Sequence, residues 1–213
     1  MAIELYLLSG LGADRRVFNF LDLHGFELIY IDWIKPLKDE KIESYARRLL
    51  VQIKSTRPTL IGVSFGGIIA IEIAKLVETN KVILVSSATT KGDIPARYRL
   101  AGNLLMNKLI PAPLYRKANF VVYWLFGVKK KKEKDLLKAI MDDADNDFVD
   151  WATNKIAKWN NEQQLSNVIT IHGTADRVLP FRKADYVVHN GGHLMVVSKA
   201  EEVSRILRRV VEM

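Results

Sequence analysis

Residues 59–87 read TLIGVSFGGIIAIEIAKLVETNKVILVSS, and no other stretch restricts the possible folds so strongly. TLIGVS and KVILVSS are short β-branched runs without polar alternation, so each predicts a strand buried on both faces. IIAIEIAKLVE between them has the length of a helix and is apolar nearly all round. Two such strands joined through a buried helix predict a parallel pair, and a parallel sheet of this kind needs helices over both of its faces.

The same alternation extends outward. IELYLLS (3–9) and FELIYID (26–32) predict strands, and KIESYARRLLVQIK (41–54) repeats Ile42, Tyr45, Ala46, Leu49, Leu50 and Ile53 at helical spacing. NVITIHG (167–173) and ADYVVHNGG (184–192) predict two more strands. Ser198 with Glu201 predicts a capping box for a last helix carrying Val203, Ile206, Leu207 and Val210 on one face. The fold class expected is α/β, with mostly parallel strands flanked by helices.

Residues 88–163 interrupt the pattern with helical periodicity and no convincing strand. LYRKANFVVYWLFG sets Leu114, Ala118, Val121, Val122 and Leu125 on one stripe, and NDFVDWATNKIAKW does the same with Phe148, Trp151, Ala152, Ile156 and Trp159. Pro111 and Pro113 break this helical insertion once, and Gly127 is placed to end a helix. Asp143, Asp145 and Asp147 resemble a calcium loop only in part, because glycine at the sixth position and glutamate at the twelfth are missing. They are expected to cap and charge the start of the last inserted helix.

With 213 residues, of which 49% are hydrophobic, the chain can build one sizeable core, so residues 1–213 are expected to form a single domain. The absence of cysteine excludes disulfides, thiolate metal sites and a cysteine nucleophile, and fits a reducing cytoplasm. No run approaches the ~20 apolar residues that cross a bilayer, and MAIELYLLSG lacks a basic leader, so neither a membrane span nor a signal peptide is expected. The net charge of +8 is concentrated in VKKKKEK (128–134) and RILRRV (205–210). No nucleic-acid motif accompanies these runs; they read as solvated helix faces, and no nucleic-acid partner is expected.

Gly62, Val63, Ser64, Phe65 and Gly66 match G-x-S-x-G with a strand before and a helix after, the context in which this motif exposes a serine nucleophile. A serine hydroxyl needs a base to take its proton and a third group to orient that base. Of the four histidines, His24 precedes the second strand and belongs to the opposite edge, while His172 and His189 end strands and read as core or rim residues. His193, in NGGHLMV just beyond the last strand, reaches the edge where Ser64 stands. Asp176, in IHGTADRVLP, lies past the end of the preceding strand in the same rim of loops, whereas Asp185 opens a strand at the wrong edge. Asp93, in the loop after KVILVSS, competes for the role of acid. The chain order Ser64, Asp176, His193 is the order this turn geometry uses. For the oxyanion, the Phe65 N–H follows the nucleophile, and the Leu11 N–H in LLSGLGADRRVF is the natural second donor, with Asp14 as a cap of the following turn.

SGLGAD, GVSFGG, HGTADRVLP and NGGH, in that order and with the insertion between, make the chain resemble the α/β-hydrolase superfamily over nearly its whole length. The resemblance implies a sheet of six strands that lacks the family's first two, with residues 88–163 as a helical cap. Two features depart from the family: Ser9 stands where it often has histidine, and the short spacing from Asp176 to His193 reduces the crossover helix to one turn around PFRKA.

The function expected is a serine hydrolase acting on a small-molecule ester or thioester, without organic cofactor or metal. Its acyl group should be small to medium and apolar, because the insertion is rich in aromatic residues; Trp124 and Trp151 are expected to contact substrate. A C–C bond hydrolase and a non-catalytic ligand-binding protein of the same fold are the rival readings. Oligomeric state is not legible in the sequence.

Overall fold

The computed structural model describes residues 2–96, 98 and 118–213. Pro111, Pro113 and Leu114, to which the sequence assigns a break and a helical stripe, lie outside the described residues.

Six strands form one sheet: β1 (Glu4–Leu8), β2 (Glu27–Ile31), β3 (Thr59–Val63), β4 (Lys81–Val85), β5 (Val168–Gly173) and β6 (Tyr186–Val188). Their order is β2-β1-β3-β4-β5-β6, and every neighbouring pair is parallel. Alternate residues of the central strands enter different cores. Leu5, Leu7, Ile61, Val63, Ile83 and Val85 face one cluster, which Val203, Leu207 and Val210 of the last helix complete. Tyr6, Leu8, Leu60, Val82 and Leu84 face another, with Tyr45, Ala46 and Leu49 of α1 (Ile42–Leu49) and most of α2 (Phe65–Ala74). This two-sided burial is the reason the strands carry no polar alternation.

The helix α2 is buried on nearly every side, which puts the carboxylate of Glu72 in the interior at 1% exposure. It is compensated there by Lys75 Nζ at 2.7 Å and by the Trp159 indole N–H, which donates at 2.8 Å. Three described helices stand between β4 and β5: α3 (Phe120–Phe126), α4 (Lys131–Asp143) and α5 (Asn146–Lys158). Gly127 ends α3 in the left-handed conformation at φ 72°, as expected of a helix-terminating glycine. Asp145 caps α5 by accepting from the Asp147 and Phe148 amides. The lysine run opens α4, where Glu133 accepts the amides of Lys129 and Lys130 at 2.8 and 3.0 Å, and Lys131 pairs with Asp135.

Two expectations are corrected. Ser198 does not cap the last helix: α6 (Met195–Ser198) contains it, its hydroxyl donates back to the Leu194 carbonyl, and α7 (Ala200–Glu212) starts from Lys199 without a side-chain cap. The PFRKA stretch forms no helical turn, and a turn followed by irregular chain joins β5 to β6. Pro180 denies that stretch a backbone donor, and Asp176 draws the preceding amides of Val178 and Leu179 to its own carboxylate. Among the described residues no helix is long and apolar enough to cross a membrane.

The chain leaves β1 toward β2 on one side and returns to β3 on the other. The carboxyl ends of β1 and β3 therefore flank a crevice at the point where the strand order reverses, the usual ligand position in open parallel sheets.

Candidate active site

Ser64 occupies the turn between β3 and α2 with φ 53° and ψ −118°, a conformation that costs a non-glycine residue ~1–3 kcal/mol. Surrounding bonds hold it there. Its amide donates to the Val85 carbonyl at 3.0 Å, and its carbonyl accepts from the Gly67 amide at 3.0 Å and the Ser87 hydroxyl at 2.6 Å. The flanking glycines follow from close approach: a Cβ on Gly62 would lie 2.5 Å from the Gly66 carbonyl oxygen, and one on Gly66 would lie 2.3 Å from the Leu8 carbonyl oxygen.

His193 Nε2 stands 2.8 Å from Ser64 Oγ, and His193 Nδ1 stands 2.8 Å from Asp176 Oδ2. Both His193 and Asp176 are buried, at 4% and 5% exposure. The other carboxylate oxygen of Asp176 accepts the amides of Val178 and Leu179, each at 2.9 Å. Burial pushes the Asp176 carboxyl up, but His193, His172 and the Leu179 amide outweigh it and hold the group well below the usual carboxylate range. An ionised carboxylate only accepts, so the proton of His193 lies on Nδ1. The lone pair of Nε2 then faces the serine hydroxyl.

Helix α3 braces this arrangement from above. The Leu194 amide donates to the Phe126 carbonyl at 3.0 Å, and the Phe126 ring meets the His193 imidazole edge-on with centroids 5.5 Å apart. Gly127 and Gly192 pack backbone to backbone: a Cβ on Gly192 would lie 2.7 Å from Gly127 Cα. Arg177, next to Asp176, donates to the Trp124 carbonyl at 3.0 Å and covers the Trp124 ring at 4.5 Å. The loops that bear Asp176 and His193 are thus both fastened to one helix end.

A cavity of about 310 Å³ opens on Ser64 and His193. Leu11 and Phe65 line it, and its walls are mostly apolar side chains such as Val17, Ile68, Leu137, Ile140, Val149 and Ile156. Asn146 and Thr153 are polar exceptions on the face of α5 turned to the cavity. The Ser9 hydroxyl donates to the Ala13 carbonyl at 2.7 Å, and the Trp33 indole N–H donates to the same oxygen at 3.1 Å. These bonds tie down the loop after β1 while its turn bond, from the Ala13 amide to the Gly10 carbonyl, does not use the Leu11 amide.

Trp124 and Trp151 are not among the cavity-lining residues. Trp124 is 52% exposed beneath Arg177. Trp151 packs on Tyr45 at 4.5 Å, and its indole N–H donates to the Glu40 carbonyl. Periodicity locates both on an inserted helix, but the rotation of that helix against the sheet turns them toward other partners. Asp93 accepts from the amides of Thr89 and Thr90 and from the Thr89 hydroxyl, an assignment that occupies it in its own turn. Asp185 accepts from Thr170, and His189 is exposed. His172 reads in the sequence as a core or rim residue. Its Nε2 lies 3.3 Å from Asp176 Oδ2, a contact no local sequence pattern announces. Among the described residues no cluster of three or more histidine, aspartate or glutamate side chains is placed to hold a metal ion.

A family model described as Alpha/beta hydrolase family matches residues 5–206. A search of curated proteins found no match. Among solved structures, the chain is similar to Esterase (EaEST) from Exiguobacterium antarcticum, with TM-score 0.72 at 16% identity over 100% of this chain and 92% of that one. It is also similar to Est816, described as an N-acyl homoserine lactone degrading enzyme, with TM-score 0.71 at 20% identity over 98% of this chain and 93% of that one. The enol-lactonase from Burkholderia xenovorans LB400 aligns with TM-score 0.65 at 17% identity over 100% of this chain and 92% of that one. At such identities these likenesses speak for the fold. The family match runs along nearly the whole chain and agrees with the parallel sheet and its serine turn, so the chain belongs to the alpha/beta hydrolase family and is a hydrolase enzyme.

Proposed function

We propose that this hydrolase cleaves a carboxylic ester or thioester of a small to medium apolar acyl group, with Ser64 as nucleophile, His193 as base and Asp176 as orienting acid. The observation that carries the proposal is the run of 2.8 Å contacts from Ser64 Oγ through His193 to Asp176, ending in an apolar cavity. In acylation Ser64 Oγ attacks the carbonyl carbon while His193 Nε2 takes its proton. The developing oxyanion accepts the N–H groups of Leu11 and Phe65. That charge is favoured because the first amides of α2 have no partner within the helix and lie at its positive end. Collapse breaks the ester or thioester bond, and the leaving oxygen or sulfur receives the proton from His193. Water then repeats the sequence on the acyl-enzyme and frees the acid. The three helices over the cavity act as the cap, within residues 88–163. Neighbours in fold that are named as an esterase and an enol-lactonase support this reading.

A fluorophosphonate is expected to label Ser64 covalently, since an activated serine beside oxyanion donors traps tetrahedral phosphorus. Peptide mass mapping reads the site. Adduct on Ser9, whose hydroxyl is committed to the Ala13 carbonyl, or on the buried Ser86 would overturn the assignment of the nucleophile.

The acyl preference follows from the walls of the cavity. Each buried methylene contributes ~0.8 kcal/mol, so two of them raise kcat/KM by about tenfold until the space is full. With a volume of about 310 Å³, butyryl esters are expected to exceed acetyl esters clearly. A kcat/KM series of p-nitrophenyl acetate, butyrate and octanoate measures this. A strict preference for acetyl would mean that the inserted helices close the cavity in solution.

A further inference from the structure

His172, the penultimate residue of β5, approaches the same oxygen of Asp176 that His193 contacts. Its Nε2 lies 2.8 Å from the Leu179 carbonyl and 3.3 Å from Asp176 Oδ2. Both neighbours only accept, so Nε2 carries a proton whatever the charge of the ring. Asp176 Oδ2 is therefore shared by two imidazoles, one donating from Nδ1 of His193 and one from Nε2 of His172.

The second imidazole also has a route to solvent that the first does not share. His172 lines a cavity of about 380 Å³ which contains neither Ser64 nor His193, and whose walls include Thr89, Asp93, Gln163, Arg182, Lys183 and Asp185. Nδ1 of His172 makes no hydrogen bond among the described residues. The ring can gain or lose that proton without breaking the bonds at Nε2, so titration changes its charge and leaves the geometry in place.

We infer that His172 is a positioning residue of the proposed hydrolase: its Nε2–H holds the Asp176 carboxylate and the loop that bears it, and its charge decides how well Asp176 supports the His193 imidazolium. The inference rests on the proposed roles of Ser64, His193 and Asp176. When Ser64 gives up its proton, His193 becomes cationic and needs the full charge of Asp176. A neutral His172 adds only a hydrogen bond to that carboxylate. A cationic His172 places a second positive charge on the same oxygen, which opposes formation of the imidazolium.

The groups around His172 set the direction of the pH effect. Burial disfavours its charged form, whereas the Asp176 carboxylate, the Leu179 carbonyl and the charge of Asp93 favour it, and the balance is raised above the ordinary histidine value. On the remaining sides stand the Phe181 ring at 6.1 Å, Arg182, which donates to the Gly92 carbonyl, Lys183, and Asp185, which is bound to Thr170. Since neutral His172 is the fast form, its contribution to the rate is complete at alkaline pH. It declines as pH falls through a value above the unperturbed ~6.5.

His172→Gln and His172→Phe test this with p-nitrophenyl butyrate and with fluorophosphonate labelling of Ser64, the folded state of each being checked by its thermal midpoint. Glutamine keeps an uncharged N–H near the Nε2 position, and phenylalanine has none. We expect His172→Phe to lower kcat about tenfold with KM little changed, the scale of losing a hydrogen bond to a charged group. His172→Gln should restore most of kcat at alkaline pH. It should also reduce the acid limb of the kcat/KM profile from more than one proton in the parent protein to one. A folded His172→Phe with parental kcat, or a His172→Gln with the parental acid limb, overturns the inference. If His172→Phe does not fold, the acid limb of His172→Gln decides alone. Parent protein that is not labelled at Ser64 would remove the proposed function and this inference together. Labelling of the parent with both variants reacting at the parental rate at every pH would remove this inference only.

Discussion

Ser64→Ala is expected to lower kcat for ester hydrolysis by about 10⁶-fold, the loss found when the nucleophile of the protease subtilisin is removed. The expectation rests on geometry around this one oxygen. The Ser64 hydroxyl lies 2.8 Å from His193 Nε2, and the strained turn that carries it leaves Ser64 lining the cavity. A methyl in its place removes the attacking atom and leaves the cavity and the amides of Leu11 and Phe65 unchanged. The variant should therefore still bind ester, and its KM, or the Kd for a non-hydrolysable ether analogue, should move little. Single-turnover measurement with p-nitrophenyl butyrate separates the two terms. A variant that keeps more than a hundredth of parental kcat would show that water is activated by His193 without a covalent step.

Asp176→Asn is expected to cost about 10⁴-fold in kcat, as the corresponding change does in a serine protease. The mechanism can be followed atom by atom. The amides of Val178 and Leu179 both donate to Asp176 Oδ1, so the carboxamide of the variant would keep its oxygen there and turn its NH₂ group toward His193. Two donors cannot face each other. His193 would have to move its proton from Nδ1 to Nε2, and Nε2 could no longer accept from Ser64. His172, whose Nε2–H shares the same carboxylate oxygen, would lose an acceptor as well and could not supply one. Asp93→Asn is the control, because Asp93 serves Thr89 and Thr90 at the end of β4; at alkaline pH, where His172 is neutral, it should leave kcat within a factor of about two. The opposite ranking of these two variants would place the orienting acid after β4.

The glycines and the serine of residues 62–66 were legible from their spacing between a strand and a helix, although their requirements differ: Gly62 is fixed by backbone atoms of its own turn, whereas Gly66 is fixed by the carbonyls of Leu8 and Ser9 at the end of β1. Asp176 and His193 were legible through topology. In a parallel sheet every loop that follows a strand emerges at the same edge, so counting strands was enough to bring three distant residues to one rim. The competitor Asp93 illustrates the limit of that reasoning. It emerges at the correct edge too, and only its hydrogen bonds to Thr89 and Thr90 show that it is occupied.

What the sequence determined by itself was the α/β architecture, the serine turn and the placement of Ser64, Asp176 and His193 at one edge of the sheet, because apolar periodicity and glycine spacing act within windows of a few residues and survive any detail of packing. What the tertiary structure decided was which side chains face the cavity and which lie behind it. Trp124 and Trp151 share helices with the cavity wall yet point to Arg177 and Tyr45, while Leu137, Ile140 and Val149 take the positions over Ser64. His172 acquires its place beside Asp176 because Leu179, a residue of the same loop, folds its carbonyl back onto the imidazole. Such choices are settled by the rotation of α3, α4 and α5 against the sheet and by the path of one loop. They rest on many small apolar contacts and a few hydrogen bonds between residues far apart in the chain, and a pattern read along the chain carries no record of them.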